Sequence, residues 1–146
     1  MDLLIRYLHL TAVLVLAGTL IIENMAMARQ ISQEDLRNLL KLDAAYGISA
    51  ALVLACGLGL WFWGGGKPAD FYSGNPVFHA KLGLFVLVGL LSIHPTVFLL
   101  RHRKHTQNII EVPVSVLRVL RAELILLAFI PVLAFLMARG IGLPTP

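Results

Sequence analysis

Charge is what this sequence has least of. Only 14% of its residues are Asp, Glu, Lys or Arg, against about a quarter in an ordinary soluble domain. Cysteine is nearly missing too. The one thiol, Cys56, lies inside an apolar run, so neither a disulfide framework nor a thiolate metal motif can be built within one chain, and the residue reads as a small core side chain. No Ser/His/Asp or nucleotide motif is present. The glycines at 64–66 followed by Lys67 lack the preceding strand and the G-x-x-x-x-G-K-[ST] spacing of a phosphate loop. The four methionines show no copper-type pattern: only Met25 and Met27 are close, and two residues apart they face different ways on a helix. No small-residue cleavage site follows the first apolar run, which continues into Glu23 and Asn24, so it reads as a span and not a leader.

What the chain has in quantity is apolar side chain: 58% of residues are hydrophobic and the mean hydropathy is +0.83. This content falls into four runs, about residues 3–28, 44–63, 77–100 and 112–138, each long enough to cross a hydrocarbon core of about 30 Å. Short connections favour antiparallel neighbours. The expected fold is therefore all-α, an integral membrane up-down four-helix bundle forming one domain over 1–146. Residues 32–43 are amphipathic. Ser32 and Asp35 form a capping-box pattern, and Leu36, Leu39 and Leu40 make an apolar stripe, which predicts an interfacial helical segment bending into the second span. Asn75-Pro76 has the N-cap and first-turn residues to start the third span, Pro95 and Pro131 fall inside the third and fourth, and Trp61 and Trp63 suit a membrane–water boundary.

The net charge of +4 does not point to nucleic acid, because the basic residues sit in short loops where they set topology and meet anionic lipid. One side carries Arg29, Arg37, Lys41, Arg101, Arg103, Lys104, Arg118 and Arg121; the other carries Arg6, Lys67, Lys81 and Arg139. The positive-inside rule places the first group in the cytoplasm and both termini on the outer side. Membrane lipids are the expected surroundings, and a homo-oligomer is open.

Ionisable residues inside spans are costly, and each needs a partner or a purpose. Sorted by depth, they form two layers. His9, His79 and Lys81 fall near the outer side; Glu23, Asp43, Tyr46, His94, Arg121 and Glu123 fall near the inner side. In the outer layer, His9 on the first helix and a ligand on the third can clamp one haem iron from opposite faces; the alternative for His9 is a structural hydrogen bond, and for Lys81 snorkelling to the surface. His79 and Lys81 are separated by about 200° around a helix, so one of them faces the bundle. His79 and His94 are about 22 Å apart along the axis, which excludes a single-ion site using both. In the inner layer, Glu23 and Glu123 either pair with Arg121, Arg118 or His94 to fasten helices, or form a proton relay or a carboxylate site for an amine or metal, with Glu23, Glu123 and Arg121 as the catalytic candidates.

The runs Asn75-Pro76-Val77-Phe78-His79-Ala80-Lys81-Leu82-Gly83, Ser92-Ile93-His94-Pro95-Thr96, Arg121-Ala122-Glu123 and Met137-Ala138-Arg139-Gly140, with Glu23 and the segment from Asp43 to Gly47, resemble a family of small bacterial membrane proteins of unknown function, number 2214 in the domain-of-unknown-function series. More distantly, the layout is similar to HemJ-type protoporphyrinogen oxidases and CopD-like membrane proteins: His9 early in the first helix, Ala17-Gly18, Gly59-Leu60-Trp61, Lys81-Leu82 and Glu123. The HemJ-type first helix usually ends in an aromatic, proline-containing segment where this chain has Ile21-Ile22-Glu23-Asn24. The resemblance implies a bacterial inner-membrane protein. It further implies haem b held by His9 and Lys81, with His79 ranked after Lys81, and electron transfer or oxidation of a porphyrin substrate, protoporphyrinogen IX. The alternative function is a non-enzymatic transport, assembly or metal-handling module whose buried charges only fasten the helices.

Overall fold

The computed structural model describes residues 2–63 and 69–142, and the glycine-rich run at 64–66 lies outside them. Four helices are long and apolar enough to cross a membrane. They are α1 (Asp2–Ala26), α2 (Gln33–Phe62), α4 (Pro76–His102) and α5 (Val114–Ala138); a short α3 (Ala69–Ser73) precedes α4, and β1 (Gln30–Ser32) and β2 (Ile109–Glu111) complete the order. Helix α1 packs on α2 and α5, and α4 on α2 and α5, so α1 and α4 stand at opposite corners. The bundle therefore runs up and down, with both termini at one end, called here the terminus end.

The amphipathic segment is helical and leads into the second span without a break. Residues 33–43 are the opening turns of α2, continuous with its span. The capping box explains where that helix begins: the Ser32 hydroxyl accepts from the Asp35 backbone N–H, and an Asp35 carboxylate oxygen accepts from the Ser32 backbone N–H at 2.9 Å. No glycine or proline then interrupts the chain before Gly47.

The opposite end is closed by a feature that the apolar runs do not announce. Strands β1 and β2 pair antiparallel with Ile31 opposite Ile110. Both isoleucines are buried, while their neighbours on each strand are exposed, the alternation of a ribbon with one face on a core. Met27, Ile31, Leu36, Leu39, Phe98, Leu99, Ile110, Val112 and Val116 join Leu16, Leu20 and Leu120 in one cluster at this ribbon end. The terminus end is looser. From Cys56 to Trp61 every residue of α2 is only half-buried, and the facing parts of α4 and α5 have few buried positions.

At the terminus end, Asn75 caps α4 by accepting from the Val77 backbone N–H at 2.9 Å, with Pro76 at the first helical position. The chain after α5 folds back onto this cap: Asn75 Nδ2 lies 3.5 Å from the Ile141 carbonyl, and Asn75 is fully buried. Gly142 makes this approach possible. Its φ is +90°, and a Cβ there would sit 2.6 Å from Asn75 Oδ1. Gly142→Ala is expected to cost about 1–2 kcal/mol through backbone strain alone. Its signature is a lowered Tm with faster carboxypeptidase trimming of the C-terminus; trimming at the wild-type rate would show that the fold-back does not hold the tail.

Candidate functional site

Helix α1 enters the bundle with His9 two turns in. The imidazole lies against α2, beside the Val53 carbonyl and so close to Gly57 that a Cβ on that glycine would stand 3.4 Å from His9 Cε1. Glycine at 57 is thus the residue that lets the ring lie between the helices. His9 Nδ1 is buried and has no hydrogen-bond partner. Lys81, half-buried on the diagonal helix α4, is near enough to act on His9 electrostatically. Its Nζ also lies 5.6 Å from the centre of the Phe78 ring, within cation–π range. The two expected ligands therefore stand at one level of the terminus end, within electrostatic reach of each other.

His79 does not join them. It is exposed, and its Nε2 is 2.8 Å from the Ser73 carbonyl of α3. The 200° step from Lys81 is the cause: with Lys81 turned inward, His79 faces the loop. Cys56 is free and half-buried.

The inner layer assembles on all four long helices. Glu23 from α1 and Glu123 from α5 are 1% and 0% exposed, and Asp43 from α2 is 8% exposed. Thr96, one residue after Pro95 in α4, donates to Asp43 Oδ1 at 2.7 Å. Tyr46, one turn on from Asp43, turns its phenol toward Glu123. Asn24 braces the group by donating to the Leu120 carbonyl across the α1–α5 seam at 3.1 Å.

The expected ion pairs are not formed. Arg118 and Arg121 are exposed, because positions 118 and 121 fall on the outer face of α5 when 116, 120, 123 and 127 fill its buried stripe. His94 is also exposed and meets Ser115 Oγ at 3.2 Å. Glu123 meets no cation and has only the Tyr46 phenol turned toward it, and Glu23 Oε1 is without a hydrogen-bond partner. Arg121 therefore stands apart from the two glutamates with which it was grouped. Sequence reasoning also passed over Thr96 and Asn24 as partners; their polarity within apolar runs was the available signal, since a polar side chain inside a span requires a bond.

Among the described residues, no group of three or more His, Cys, Asp or Glu side chains is placed to hold a metal ion. A shallow depression lies at the surface of the ribbon end, lined by Ala28, Arg29, Gln30, Glu111, Val112 and Pro113.

No curated protein and no solved structure matches this chain. One family model does, over residues 1–142, nearly the whole length, and its description is a predicted membrane protein. The chain belongs to that family of predicted membrane proteins, DUF2214.

Proposed function

We propose that this protein is a multi-pass inner-membrane carrier of b-type haem, held at the terminus end between α1 and α4, and that it serves electron transfer or porphyrin oxidation. The observation that carries the reading is the buried, unpartnered Nδ1 of His9, with Lys81 of the diagonal helix near enough to act on it electrostatically. A buried polar atom without a partner costs free energy, and a ligand removes that cost. The donor set also fits: imidazole is a common axial ligand, and bundle cores hold cofactors between facing helices. The half-buried inner surfaces of this end, including Leu60, Phe85 and Ala134, offer apolar walls for a planar ring. The choice of haem among ring systems comes from the resemblance of His9, Gly59-Leu60-Trp61, Lys81-Leu82 and Glu123 to the HemJ-type pattern.

When bound, the haem supplies one-electron chemistry at its iron. The chain's own part is to present two nitrogen donors, to keep water from them with apolar helix faces, and to fix the His9 ring against Gly57. Lys81 must offer a neutral amine, which iron favours over the ammonium. The basic residues of the ribbon end, Arg29, Arg37, Lys41, Arg101, Arg103 and Lys104, support a cytoplasmic position for that end by the positive-inside rule, with the His9–Lys81 level toward the outer face.

The test is the visible spectrum of the detergent-purified protein, oxidised and dithionite-reduced, with the haem-to-protein ratio. The expected result is a stoichiometric Soret band with reduced b-type peaks, lost or displaced in His9→Ala and unchanged in Cys56→Ser. A colourless protein that takes up no added haemin, or an unaltered spectrum in His9→Ala, would overturn the assignment.

A further inference from the structure

At the other end of the bundle, the buried carboxyl groups have no role in holding a haem and no ionic partner. Every element packed around them can be searched for one. Helix α1 supplies Glu23, Thr19 and Asn24; the threonine hydroxyl is satisfied on its own helix by the Val15 and Leu16 carbonyls, and the asparagine bonds across to α5. Helix α2 supplies Asp43, Tyr46 and Ser49, the serine donating to the Ala45 carbonyl. Helix α4 supplies Thr96, already given to Asp43. Helix α5 supplies Glu123, with Arg118 and Arg121 exposed on its far side. No cation faces the group among the described residues.

A second observation goes beyond the acidic cluster itself. Glu123 is fully enclosed, and its only hydrogen-bonding neighbour among the described residues is the Tyr46 phenol; Glu23, 1% exposed, has a free Oε1. No cation among the described residues compensates a negative charge at either position. An ionised carboxylate in such a place is among the costliest arrangements that a membrane interior allows. The occupant that neutralises a carboxyl without needing space or further ligands is a proton. A metal ion requires a converging donor set, and the described carboxyl groups do not supply one.

We propose that Glu23 and Glu123 form a proton-holding pair, loaded from the aqueous face at the ribbon end. Glu23 lies in the last turn of α1, which ends at Ala26, at the ribbon end of the bundle. The Tyr46 phenol, turned toward Glu123, supplies a hydroxyl that can pass a proton on. Asp43 is set apart from the pair by its bond from Thr96. The inference stands independently of haem.

Infrared spectroscopy of the full-length protein in detergent, in H2O and in D2O at neutral pH, reads this directly. The wild type is expected to show a protonated-carboxyl carbonyl band on the high-frequency side of the amide envelope, moving down in D2O within the mixing time. Glu23→Gln and Glu123→Gln should each remove about half of it, and Asp43→Asn should leave it in place. His9→Ala should retain the band, which separates this proposal from the haem reading. Absence of the band in the wild type overturns the proposal whether or not the variants fold. So does a band that stays unshifted in D2O, or one that keeps its full intensity in both glutamine variants. A wild-type protein without the band, whose ionised-carboxylate signal shifts on adding sodium or calcium, would instead identify a cation seat.

Discussion

Leu99→Ala is expected to lower the unfolding free energy by about 2–4 kcal/mol, within the range for leucine truncation in a closed core. Leu99 is 0% exposed and sits in the cluster that joins the ribbon to the four helices. Inside a bilayer the lost transfer energy is small, because lipid is as apolar as leucine. The cost comes from the vacated contacts, and the ribbon makes them hard to recover: Ile31 and Ile110 are held by strand pairing and cannot slide inward. Leu90→Ala, on the same helix with 61% of its surface exposed to the lipid side, should change stability by no more than about 0.5 kcal/mol. Reversible unfolding of both variants in mixed micelles measures the difference. Equal effects would mean that the ribbon end is no more tightly packed than the lipid-facing surface.

Gly57→Leu is expected to abolish haem retention without touching either proposed ligand. A bare Cβ at 57 already reaches van der Waals contact with the His9 ring at 3.4 Å, and a leucine adds three carbons beyond it. The imidazole must then leave its place between α1 and α2, while Lys81 is undisturbed. Gly57→Ala asks only for contact at that distance and should keep most of the pigment. Purified side by side, Gly57→Leu should show a haem-to-protein ratio at least tenfold below wild type, with unchanged helical circular dichroism. Full pigment in a well-folded Gly57→Leu protein would show that His9 does not bind iron from this position.

Much of this molecule can be read without its coordinates, for a simple reason. A span must be apolar over a fixed length and satisfy its backbone internally, so composition and run length specify four helices directly. Local chemistry is equally legible. Ser32 and Asp35 start α2, and Asn75-Pro76 start α4, because capping depends on residues within four positions of one another. The ribbon was not legible. Strands of three residues carry too short an alternation to stand out, and their pairing joins residues about eighty positions apart. The amphipathic stripe of residues 33–43 gives way to all-round apolarity within one helix, because a change of surroundings does not break a helix.

The charged residues divide along the same line. Sequence alone determined that His9, Lys81, Glu23, Asp43 and Glu123 lie within apolar runs and at two depths, because depth follows from the residue count along each helix. Only the tertiary structure decided which of them meet. It turned Lys81 inward and His79 outward, left Arg121 on the exposed face of α5, and enclosed Glu23 and Glu123 without a cation. Which face of a helix turns inward is set by packing among four helices at once, and no single helix carries that information where nearly every residue is apolar.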